Sequence, residues 1–469
     1  MLIGVPKEIK VHEYRVGLTP TNVREVVAHG HQALVETGAG AGIGITDRDY
    51  ETAGATIVAS AREIFERAEM IVKVKEPQAS ERKQLHKDQV LFTYLHLAPD
   101  PAQTDDLIAS GATCIAYETV TSATGGLPLL APMSEVAGRL SIQAGAYFLE
   151  KAHGGLGVLL GGVPGVDPAK VVVIGGGVVG RHAIHIALGM GADVWVIDRD
   201  LGVLRSLWQQ FDRPLNTVYS TRDAIETHCM GADLVVSGVL IPGAAAPKLI
   251  TADLVKRMKP GSVIVDVAID QGGSAETSRP TTHDDPVFVV DDVIHYCVAN
   301  MPGAVPKTSA HALNNATHPF VLALADKGWK QALRDDPDVA GNALQPSISA
   351  DGRYVAFHAT RGDQDSSDFG AYADVFLHDR KTRATELVSA TSKFAAPVTG
   401  ASCTSTSLWR GRSGSRLTNQ GASSITGWCA SRGRSIRCCS TRTRSGQRAA
   451  SRWGFRRMER SRSTSESTS

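Results

Sequence analysis

The stretch VVVIGGGVVG, residues 171–180, leaves this chain few options. A β-branched run reads as a strand. It leads directly into Gly175, Gly177 and Gly180 in G-x-G-x-x-G spacing, and a helical pattern follows from Val178 to Leu188. In a strand–turn–helix unit the first glycine permits the tight turn and the second lets backbone approach a pyrophosphate. The third lets helix and strand pack, and the helix N-terminus faces the anion. The next strand, DVWVID, ends in Asp198, roughly 20 residues on, where a carboxylate can accept from both ribose hydroxyls. An acid there repels a 2′-phosphate, so the expected cofactor is NAD; the neighbouring Arg199 keeps the phosphorylated form open.

Short apolar runs alternate with helical patterns from Met1 to about Gly341: Ala33–Val35, Met70–Val74, Val90–Leu95, Val171–Ile174, Val194–Ile197, Leu234–Val236 and Val263–Val267. This alternation predicts an α/β fold with parallel sheets, arranged as two Rossmann-like domains. The Gly/Pro-rich stretch from His153 to Pro168 separates two such series and suggests a junction. The expected organisation is a substrate domain over 1–130, a dinucleotide domain over 131–304 and a return of the chain to the substrate domain over 305–343. A second glycine cluster, TGAGAGIG from Thr37 to Gly44, never completes the spacing: from Gly38, Gly40 or Gly42 the sixth position is Ile43, Ile45 or Asp47. It reads as a structural loop, so the nucleotide belongs to the second unit.

At 469 residues the chain has ample core, and a net charge of +1 with 42 % hydrophobic residues points to neither nucleic acid nor membrane as main partner. No apolar stretch is long enough for a bilayer and the N-terminus lacks a signal-peptide pattern, so the expected location is the cytoplasm. Seven scattered cysteines, without a C-x-x-C pair or zinc spacing, imply reduced thiols and no metal.

The first unit offers cations and one imidazole where strands stop. Arg15 lies in a turn-like segment, Lys73 and Lys75 alternate along IVKVKEP, and His96 closes the strand that opens LFTYLHLAP. Arg supplies a planar fork and Lys a compact charge, a suitable pair for a small carboxylate. His96, a group titrating near neutrality, suits proton transfer. Taken singly, each has a plainer reading: a structural histidine, a snorkelling Lys75, a turn arginine. Lys73, His12 and His31 are assigned no role.

The segments YRVGLTP, KVKEP, FTYLHLA, AYETV, PLLAPMSEVAGRL, GGVPGV, MKPGSVIVDVAIDQGG, SRPTTHDDP and YCVANMPGAVPKTS, with the glycine motif between them, resemble bacterial L-alanine dehydrogenase over Met1 to about Asp338. Transhydrogenase α subunits are related and form the alternative. The resemblance implies that Arg15 and Lys75 hold the carboxylate of pyruvate or L-alanine, with ammonia as the other small substrate. It further implies that His96 is the general acid/base and that Asp270 faces the amine. Cofactor contacts are implied at Ser134, Val179, Asp198, Ser220, Val239 and Asn300 beside the three glycines, as are a hexamer and two domains closing over a cleft. Ser134 could also cap the helix it begins, and Asp270 could be a turn-former before Gly272.

Past about Val339 the text changes. Residues 345–389 alternate as β-strands around a D-G turn at Asp351-Gly352 and resemble a single TolB-type propeller blade, where a ring needs several. From about 390 to 469 the chain is Ser/Arg-rich, with no lysine past Ala395 and no apolar period. This tail reads as disordered or as the product of a fused or frameshifted gene, which would give a catalytically impaired protein. The rival is a basic arm for nucleic acid, which an intact, in-frame locus would favour.

Overall fold

The computed structural model describes residues 1–97, 100–122, 126–211, 214–239 and 246–335, together with the backbone of four strands between 344 and 387. The tail beyond 390, with its disorder, frameshift and nucleic-acid readings, lies outside the described residues, as does the D-G turn at 351–352.

Two parallel α/β sheets carry the described chain. The first has six strands: β1 (Leu2–Val5), β2 (Gln32–Glu36), β3 (Thr56–Val58), β4 (Met70–Val72), β5 (Val90–Thr93) and β6 (Thr113–Ala116), in the order β3-β2-β1-β4-β5-β6. The second has seven: β7 (Lys170–Ile174), β8 (Asp193–Asp198), β9 (Asn216–Tyr219), β10 (Leu234–Ser237), β11 (Val263–Asp266), β12 (Val287–Val290) and β13 (Val293–Tyr296). Their order is β12-β13-β11-β10-β7-β8-β9, and only the β12–β13 pair is antiparallel. Helices on both faces explain why the central strands read as unbroken apolar runs: β7, β10 and β11 are almost wholly buried from Val171, Leu234 and Val263 onward. Both sheets reverse strand order beside their first strand, β1 and β7, and the crevice at the carboxyl ends there is where such folds bind ligands.

The lobes exchange chain twice. The helix Ala131–Phe148 contributes Met133 and Val136 to the first core, then Ala137, Leu140 and Ile142 to the second. A Cβ on its Gly138 would lie 2.2 Å from the Val179 carbonyl oxygen, so glycine permits this helix to cross closely over the helix Val178–Gly189. The crossover therefore precedes the Gly/Pro-rich stretch expected to mark it: Leu160 and Ala169 already pack in the second core. The chain returns through the helix Pro306–Lys327, whose Ala310, Leu313, Val321 and Leu324 fill the first core.

Four further strands, Leu344–Ile348, Tyr354–Thr360, Ala373–Asp379 and Ala384–Leu387, form one antiparallel sheet in sequential order. Among the described residues no helix is long and apolar enough to cross a membrane.

Candidate active site

Arg15 is the first surprise. Its side chain is only 1 % exposed, and Glu13 accepts from Nε at 2.6 Å and from Nη2 at 2.5 Å. Nη2 also donates to Asn300 Oδ1 at 2.7 Å, and Asn300 Nδ2 returns to Glu13 at 3.1 Å. The remaining nitrogen, Nη1, faces the Met133 sulfur at 3.0 Å. Burial opposes the ionised Glu13, yet the Arg15 hydrogen bonds and charge hold its carboxyl below the ordinary value. This triangle joins the two lobes, because Asn300 follows β13 and takes a left-handed conformation with φ +66°.

Lys75 is buried, with Nζ 3.5 Å from His96 Nε2. Burial first, and Arg15 as a like charge, push its amine below the usual lysine value against the pull of Glu76 and Asp270. His96 stacks on Tyr94 with the rings 5.7 Å apart and 10° from parallel. Burial and then the Lys75 charge lower its pKa, opposed by Glu118, Glu76 and Asp270. Asp270, exposed in the 3₁₀ turn Val267–Gln271 just past β11, belongs to the second lobe and acts electrostatically on both Lys75 and His96 of the first. Arg15, His96 and Asp270, singled out from separate parts of the sequence, thus all lie within electrostatic or hydrogen-bonding reach of Lys75.

The glycine turn behaves as its spacing predicts. Gly175 has φ +93°, and a Cβ on Gly180 would meet the Gly175 carbonyl oxygen at 1.8 Å, whereas one on Gly177 would meet nothing within 4 Å. Gly177 caps the helix Val178–Gly189, so open space lies where an anion could approach the first-turn amides. Asp198 is anchored in this turn: its carboxylate accepts from Gly176 N at 2.6 Å and Asp200 N at 2.8 Å. Ser220 donates its amide to the Asp198 carbonyl at 2.9 Å, Val239 abuts Gly175, and Val179 packs against Gly238. Ser134 is half-buried on the lobe-joining helix, one turn before Gly138. The capping expectation for it is corrected: the helix starts at Ala131 with Pro132 in its first turn, so Ser134 is already inside.

Three residues given no role carry structural duties. Lys73 is fully buried between Glu81 at 2.8 Å and Glu8 at 3.1 Å, separated from Lys75, although the two alternate along the sequence. His12 reaches Asp284 of the second lobe at 2.6 Å, next to His283, whose Nε2 meets the Asn300 carbonyl at 3.1 Å. His31 pairs with Asp326 at 2.7 Å on the returning helix. Reasoning from single motifs missed Glu13, Met133, Tyr94 and Glu118; only Glu13, two places before Arg15, left a local signal. The TGAGAGIG loop is structural, its Gly42 lying against Tyr14 and its Thr37 hydroxyl bonded to Asp47. Among the described residues no group of three or more His, Cys, Asp or Glu could hold a metal.

With this geometry in place, the comparisons are specific. The family "Alanine dehydrogenase/PNT, N-terminal domain" matches residues 4–137, and "Alanine dehydrogenase/PNT, C-terminal domain" matches 141–347, some residues past Val339. The alanine dehydrogenase of Halomonas elongata is 60 % identical over 340 residues, covering 72 % of this chain and 92 % of its own. A solved L-alanine dehydrogenase superposes with a TM-score of 0.70 at 53 % identity, covering 73 % of this chain and 94 % of its own. A transhydrogenase from Sinorhizobium meliloti gives 0.62 at 26 %, covering 70 % and 95 %. The transhydrogenase-like alternative is therefore the weaker one. Its sheets and these matches together make the chain a member of the alanine dehydrogenase family of amino-acid oxidoreductases.

Proposed function

We propose that this protein catalyses the reversible oxidative deamination of L-alanine to pyruvate and ammonia with NAD. The observation carrying the reading is the convergence of Arg15, Lys75 and His96 from one lobe with Asp270 and Asn300 from the other. Arg15 and Lys75 would bind the substrate carboxylate, Arg15 through the edge that Glu13 and Asn300 leave toward Met133. L-Alanine arrives as an ammonium and must lose a proton before its Cα–H bond can break, so Asp270 would face the amine. His96, neutral at pH 7 because burial and Lys75 lower its pKa, would take a proton from water adding to the imine carbon. In reverse the imidazolium would return it to the departing oxygen.

The glycine cradle fits the cofactor. Gly175, Gly177, Val179, Gly180, Asp198, Ser220 and Val239 would hold NAD, with Ser134 and Asn300 at its flanks. Bound there, the nicotinamide supplies the hydride chemistry. The first test is direct: NADH formation that requires both L-alanine and NAD. No turnover with either substrate pair would refute the proposal, and NAD(H) binding without alanine turnover would favour the transhydrogenase-like alternative. A homohexamer in the cytoplasm is the expected working state, and sedimentation of the full chain checks the assembly.

The two glycines predict different failures. Gly177→Ala should leave the melting temperature unchanged and weaken NADH binding by about tenfold or more, because its methyl enters open space beside the helix amides. Gly180→Ala should lower the melting temperature, since helix and turn must separate. Equal effects in calorimetry and NADH titration would contradict the assignment.

A further inference from the structure

His96 holds an uncommon backbone. Its φ is +49°, in the left-handed region that residues with a Cβ seldom adopt. Nothing in its own strand end explains this, since β5 stops at Thr93. The explanation comes from the neighbouring strand. Glu118, half-buried in the short turn Tyr117–Thr119 after β6, accepts from the His96 amide at 2.6 Å and from the Leu95 amide at 3.1 and 3.2 Å. Two successive amides aimed at one carboxylate form an anion-binding concavity. The Gln103 side chain clamps the Leu95 carbonyl at 2.5 Å, and Tyr94 lies parallel to the imidazole.

We infer that Glu118 is a positioning residue for His96: its carboxylate seats the Leu95 and His96 amides, sustains the left-handed turn and aims the imidazole at Lys75 and the cleft. The inference rests on the acid/base reading of His96 and deepens it. A protein group supplies the anion for these two amides, so the seat is not a second ligand site. The charged groups acting on the imidazole are Lys75 and Glu76 from the segment after β4, Glu118 from the turn after β6, and Asp270 from the second lobe. Glu118 raises the His96 pKa, so removing its charge moves the His96 titration to lower pH.

The experiment measures Glu118→Gln and Glu118→Ala in the full-length protein, by steady-state turnover across pH, NADH titration and thermal melting. Glu118→Gln keeps one acceptor oxygen and loses the charge. It should lower kcat about ten- to a hundredfold with NADH affinity retained, and should shift the His96 limb of the kcat/KM profile to lower pH. Glu118→Ala should lower kcat further. Wild-type kcat and pH profile in Glu118→Gln would overturn the inference. So would a loss of activity that merely follows loss of NADH binding and melting temperature with the profile unmoved, which would make Glu118 a scaffold residue. Undiminished turnover in His96→Ala would instead overturn the acid/base reading beneath it.

Discussion

His96→Ala lowers kcat in both directions by about a hundred- to ten-thousandfold, the range typical of losing a general acid/base, while NADH affinity stays as in the wild type. The separation follows from position: His96 lies three residues past the end of the first lobe's fifth strand, and the glycine cradle belongs to the second lobe. The wild-type pH profile has a definite sign. Oxidation of L-alanine needs the neutral ring as base, and burial together with Lys75 lowers its pKa. The kcat/KM for oxidation therefore falls on the acid side with a midpoint below the ordinary histidine value of 6.5. A midpoint above that value, or an unchanged acid limb in His96→Ala, would assign the proton transfer elsewhere.

Lys73→Met destabilises the protein by about 3–5 kcal/mol at neutral pH, the usual cost of removing one partner from a buried ion network. Lys73 is fully buried, and the carboxylates of Glu8 and Glu81 are only 2 % exposed. Methionine matches the stem but leaves two acids in low dielectric. The sign with pH follows from Glu8, whose carboxyl is raised above the ordinary value by burial, against the opposing pull of Lys73. A raised acid favours folding below its unfolded pKa and loses that contribution as pH climbs through its folded pKa. Deleting Lys73 raises it further, so the deficit should be larger at pH 8 than at pH 5. Denaturant unfolding at both pH values is the measurement, and the triple variant with Glu8→Gln and Glu81→Gln should recover most of the loss. A deficit below about 1 kcal/mol, or one independent of pH, would show that water reaches the carboxylates.

The legibility of the fold followed burial. Central strands such as Val171–Ile174 and Leu234–Val236 were visible as apolar runs because helices cover both faces. Thr56–Val58, Thr113–Ala116 and Asn216–Tyr219 were missed: each is three or four residues long and lies at a sheet edge, where incompletely buried positions interrupt the apolar run, and the buried interior strand Val293–Tyr296 was missed as well, its apolar run broken by His295. Lys73 and Lys75 show the same limit at the site. Two lysines two residues apart carry no mark distinguishing a core ion network from a substrate clamp. Glu118 is a still clearer case, because its partners lie more than twenty residues away and are backbone amides, which every sequence contains.

The sequence by itself determined the glycine turn, the acid that closes the next strand, the cations at strand ends and the parallel α/β plan, because each depends on local sterics or a local period. Only the tertiary structure decided which charges are buried, which carboxylate answers which cation, and that Asp270 and Asn300 of one lobe face Lys75, His96 and Arg15 of the other. Electrostatics at a site depends on distance and desolvation, and both are set by packing between segments far apart in the chain.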